Sequence, residues 1–76
     1  MKEFDYTIAE HLETLSERGA YSKELNLVSY ENKPPVLDLR RWMRNADGSK
    51  QIQKGLTLTR EEAELLRDAL DAYLSA

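Results

Sequence analysis

In "LDLRRWMRN", residues 37–45, Arg40, Trp42 and Arg44 alternate, and Trp42 is the only tryptophan of the chain. On an extended strand, residues at this spacing share one face. Two guanidiniums flanking an indole can follow the phosphates of a single strand while the ring stacks on unpaired bases. A duplex hides its base faces, so the same surface suits single strands better. The structural alternative is that Trp42 packs on arginine stems or sits in a contact between two chains. An acidic segment of a protein partner is a second class of ligand for a basic aromatic face.

Other chemistry is poorly supported. The chain has one histidine and no cysteine, which removes disulfides, thiolate metal sites and thiol nucleophiles. His11 has no nucleophile pattern beside it; Thr14 and Ser16 sit among glutamates. Glu61 and Glu62 read as the acidic first turn of a helix. Gly19, Gly48 and Gly55 do not form a phosphate-binding loop. No enzyme, cofactor or metal is expected.

The elements that must hold the Arg40–Trp42–Arg44 face are readable nearby. "VLDLRRWMR" alternates, with Leu37, Leu39, Arg41 and Met43 on the other face; Leu37, Leu39 and Met43 are expected to supply the core beneath the C-terminal helix, leaving the Trp42 face open. "ELNLVSY" is rich in bulky and β-branched residues, and the prolines of "ENKPP" end it. "NADGSK" marks a hairpin turn at Asp47-Gly48, leading into "QIQKGLTL". Thr59 and Glu62 then form a capping box, and Leu66, Leu70, Tyr73 and Leu74 recur at helical spacing. A helix is expected from about Arg60 to Leu74. Leu65, Ala69 and Ala72 widen its apolar stripe beyond what one sheet covers.

The N-terminal third is ambiguous. In "TIAEHLETLSERGA", Thr7 and Glu10 mimic a capping box, and Ile8, Leu12 and Leu15 fit helical spacing. The strand reading places Phe4, Tyr6, Ile8 and Leu12 on one parity, interrupted by Glu10.

The 76 residues carry a net charge of −3. Residues 1–20 hold two cations against five carboxylates, residues 21–58 seven against four, and residues 59–76 two against five. A basic middle between acidic ends can still attract a polyanion. The length fits one small domain, 1–76. A domain this small has a marginal core and commonly gains stability by oligomerising. No apolar run approaches the roughly 18 residues of a membrane span, and the N-terminus lacks the apolar stretch of a signal peptide, so a cytoplasmic location is expected.

From "KELNLVSYENKPPVLDLRRWMRN" through "KGLTLTREEAELL" the chain resembles the positive cofactor 4 family of transcriptional coactivators, and within it the small bacterial YdbC-like branch. Three segments match in order and separation: "KELNLVSY", "LDLRRW" and "KGLTLTREE". The resemblance implies an α+β fold, a four-stranded antiparallel sheet followed by one C-terminal helix (β-β-β-β-α). It makes the N-terminal segment from Tyr6 to about Leu15 a strand. It implies a homodimer in which helices and sheet edges meet, and the apolar width of the helix places Leu66, Leu70, Tyr73 and Leu74 at the expected interface. It also implies binding of single-stranded DNA with little sequence preference, with RNA as a further candidate ligand. Arg40 and Trp42 match the arginine and aromatic of the third strand, and Lys54 matches the lysine of the "KG" pair. Lys23 and Tyr30 fall on the second strand. Arg44 and Lys50 complete the expected nucleic-acid-binding set. The transcription machinery is a candidate partner and, for a bacterial protein, the nucleoid a candidate location.

Overall fold

A computed structural model describes residues 5–76. Phe4, placed above on the first strand, lies outside the described residues, as do Met1, Lys2 and Glu3. Four strands form one antiparallel sheet in chain order: β1 (Tyr6–Arg18), β2 (Tyr21–Tyr30), β3 (Val36–Arg44) and β4 (Lys50–Leu58). One helix, α1 (Arg60–Ser75), follows. The expected β-β-β-β-α order is observed, and the helix ends one residue beyond its expected bound.

The local chemistry is that of the sequence. The Thr59 hydroxyl accepts from the Glu62 amide at 3.1 Å, and the Glu62 carboxylate accepts from the Thr59 amide at 2.8 Å. This closes the capping box and satisfies two otherwise orphaned donors. In the β3–β4 turn Gly48 has φ +90°, which is open to glycine at no steric cost, and its amide donates to Asn45 O at 3.0 Å. The Asp47 carboxylate accepts from both the amide and the hydroxyl of Ser49.

β1 is a strand, and its register explains its helical look. Bulges fall between Ile8 and Glu10, His11 and Glu13, and Thr14 and Ser16. Ile8, His11 and Thr14 therefore stand opposite Val28, Asn26 and Glu24. Three residues of β1 are laid against every two of β2. A period near three in the sequence is thus a bulged strand, not a helix. Each bulge adds bend and twist, and together they carry the Tyr6 ring over Trp42, with centroids 5.6 Å apart.

The two sheet faces are filled in an unexpected way. Leu25, Leu37, Leu39 and Leu58 line a groove of about 520 Å³ with Leu66, Leu70 and Leu74 of α1. Those strand leucines are only half-buried, and α1 has no buried residue. The buried residues, Glu24, Asn26, Val28, Asp38 and Trp42, all share the opposite face, called here the far face. The expectation that the core lies beneath the helix and leaves the Trp42 face open is therefore corrected. The chain packs its far face and leaves the helix face half-covered.

Candidate nucleic-acid interface

The indole does not stand free between the arginines. Trp42 is 0% exposed, and its Nε1 has no hydrogen-bond partner among the described residues. The expected exposed stacking platform is corrected: curling of β1 and the overlying Tyr6 ring take Trp42 into the core. Parity had placed Arg40, Trp42 and Arg44 correctly on one face, but not what covers that face.

Two buried carboxylates organise the face around Trp42. The first is Asp38. Arg40 grips it with two parallel bonds, Nε to Oδ1 and Nη2 to Oδ2, both 2.7 Å, and Nη1 donates to Gln53 O at 2.9 Å. The Tyr30 hydroxyl donates to Asp38 Oδ2 at 2.6 Å. A buried charge needs such pairing, since an isolated carboxylate is costly in a low-dielectric interior. Burial, the bond to Asp38 and its negative charge push the Tyr30 phenol up to about 12. The bond to Asp38 also raises Arg40, against the pull of burial. Arg40 is only 12% exposed at its side chain.

The second carboxylate is Glu24. Lys50 Nζ donates to both its oxygens, at 3.0 and 2.9 Å, and the Ser22 hydroxyl donates to Oε2 at 2.6 Å. Burial pushes the Glu24 carboxyl up, but the bonds from Ser22, Lys50 and Asn26 outweigh it and hold it below the usual carboxylate range. His11 joins through Asn26, its Nδ1 2.6 Å from Asn26 Oδ1. Glu24, which looks in the sequence like a dilution of the basic patch, fixes Lys50 across two strands.

Gly55 completes the face. It stands opposite Arg40 on β4, and a Cβ at this position would collide with Arg40 Cβ. The "KG" pair therefore needs its glycine so that the Arg40 side chain can cross β4.

The expected residues divide into three groups. Arg40, Tyr30 and Lys50 are engaged by buried carboxylates. Trp42 is buried against the Tyr6 ring. Lys23, Arg44 and Lys54 are exposed and make no ion pair among the described residues. Arg44 stands directly across from Lys50, on the far face. Lys23 is on the helix face, directly across from Arg41, so the set does not lie on one surface. Sequence reasoning missed Arg41 and Tyr21. Arg41 sits over the Tyr21 ring at 4.8 Å. The sequence pattern gave Arg41 only the parity of the leucines and assigned Tyr21 no role.

Residues 20–69 match the family described as Transcriptional Coactivator p15 (PC4). A protein of Treponema pallidum (strain Nichols), described only as an uncharacterized protein, is 39% identical over 71 residues. That alignment covers 92% of this chain and 80% of the other.

Proposed function

Because this chain belongs to the transcriptional coactivator p15 (PC4) family, we propose that it binds single-stranded DNA with little sequence preference, as a homodimer. RNA single strands fit the same chemistry. One observation carries this reading: on a chain of net charge −3, the cations that have no carboxylate partner among the described residues stand on the sheet. Both helix arginines pair with helix carboxylates, Arg60 with Glu64 and Arg67 with Asp68. Lys23, Arg44 and Lys54 are left free to meet phosphates. Arg40, Tyr30 and Lys50 form a pre-ordered polar surface on the far face, which Arg44 shares.

The homodimer has its own support. Leu66 and Leu70 are exposed, as are Tyr73 at 76% and Leu74 at 75%, and they adjoin the open leucine groove. Fully burying one such side chain contributes about 1.5–3 kcal/mol. A second copy presents the same apolar stripe, as a two-fold interface requires. The resemblance further supports a link to the transcription machinery and a cytoplasmic or nucleoid location. The acidic-partner reading is the rival that the test must separate.

The test is a titration of labelled single-stranded oligonucleotides at several salt concentrations. Each phosphate contact contributes about 0.7 to the logarithmic salt slope. Arg44→Ala removes a free cation and lowers the slope by that amount. Arg40→Ala lowers it less, because Asp38 already neutralises Arg40. A salt-independent affinity, or equal slopes for both variants and the wild type, contradicts the proposal.

A further inference from the structure

The helix face carries a cationic, aromatic surface that the far-face site does not use. Lys23 and Arg41 are direct cross-strand partners, and Arg18 is the partner of Tyr21. Like charges placed directly opposite one another on a sheet face destabilise it. None of these three cations has an ion-pair partner among the described residues. With Ser16 and Glu17 they line a groove of about 410 Å³. The Tyr21 ring there is 41% exposed and lies against the Arg41 guanidinium at 4.8 Å. A tyrosine–guanidinium stack is a flat π surface open on one side. Unpaired bases use such a surface, and carboxylate side chains gain little from it.

The patch also continues the far-face site. Lys23, Arg41 and Arg18 lie at the β1–β2 hairpin end of the sheet, and Arg44 lies at the same end on the opposite face, its amide donating to Ala20 O at 2.7 Å. Cations thus flank this edge on both sides. We infer that a single strand held on the far face crosses the β1–β2 end of the sheet and binds a second time on the helix face. There one base stacks on Tyr21 and Arg41, and the adjoining phosphates sit on Lys23 and Arg18. This rests on the single-strand reading above and extends the path of the ligand.

The experiment uses two oligothymidylates, one of about 6 nucleotides and one of about 20, against the full chain. Both bind the wild type, the longer one more tightly. Tyr21→Ala weakens the longer one by about 5- to 150-fold, the range for one lost stacking contact, and leaves the shorter one unchanged. Tyr21→Phe restores the wild-type value, because the ring and not the hydroxyl stacks. Lys23→Ala, which removes a phosphate contact, lowers the salt slope of the longer one by about 0.7. Wild-type binding of the longer strand by both Tyr21→Ala and Lys23→Ala overturns the inference while leaving the single-strand reading in place. Failure of the wild type to bind either oligonucleotide overturns both. Polyglutamate binding as tight as that of the longer oligonucleotide, weakened equally by Tyr21→Ala, marks an acidic-peptide surface and also overturns the inference.

Discussion

Gly55→Ala is a small change that should do large damage. Replacing glycine by alanine within a strand ordinarily stabilises by about 0.5–1 kcal/mol, because less backbone freedom is lost on folding. Here the added Cβ collides with Arg40 Cβ and lies 2.6 Å from Arg40 Cα and 2.7 Å from Leu39 O. Two of the obstructing atoms are backbone, so no rotamer change relieves the clash. β4 must move away from β3. Such overpacking costs about 1–3 kcal/mol. The shift also breaks the Arg40–Gln53 bond of 2.9 Å, and a bond to a charged group contributes about 1.5–3 kcal/mol. A loss of roughly 3–5 kcal/mol follows, against a total of about 4–11 kcal/mol for a chain of this length. At about 4–8 °C per kcal/mol, the melting temperature falls by at least about 12 °C. Circular dichroism melting of both proteins at one concentration measures it. A variant that melts with the wild type, or later, refutes the close approach of β3 and β4 and with it the placement of Arg40.

Trp42→Ala should cost about 3–5 kcal/mol of stability, whereas Trp42→Phe, which keeps the ring packing and removes an unpartnered N–H, should melt close to the wild type. Its fluorescence should show a buried indole unchanged by saturating oligonucleotide; strong quenching would contradict the burial. Leu70→Asp puts a charge into the exposed apolar stripe and should shift light-scattering mass from two chains toward one; a wild-type mass of 8.8 kDa at micromolar concentration would count against the homodimer. The Tyr30 phenol, raised from 10.0 to about 12, contributes stability that is complete below pH 10 and is lost as the pH rises through about 12. Phenolate absorbance should therefore show one tyrosine ionising late, and Tyr30→Phe should remove that late titration.

The helix, the Asp47-Gly48 hairpin and the alternation of β3 were legible because each rests on local chemistry: a capping box, a glycine with positive φ, and a period of two. β1 was not, because its bulges stretch the period from two toward three, and Ile8, Leu12 and Leu15 then satisfy a helical template. The resemblance of the following segments resolved it. Alternation identified which residues share a face with Trp42. It could not identify which face is covered, since that depends on the curl that brings Tyr6 across the sheet. The same limit hid the roles of Glu24 and Asp38. Both read as ordinary charges, and only the fold shows them buried and holding Lys50 and Arg40. Tyr21 and Arg41 were overlooked because their parity is that of the leucines facing the helix; the clue in the sequence was their position at the sheet end, beyond the leucine run.

The most direct measurement is a gel shift of single-stranded and double-stranded DNA of the same length and sequence, with each as competitor for the other. The sheet presents free cations and a pre-ordered polar face, and the resemblance implies a preference for unpaired strands. The account predicts a retarded complex with the single strand that excess duplex does not displace. Equal retention of both forms would leave a general polyanion binder. Retention of neither would contradict the account.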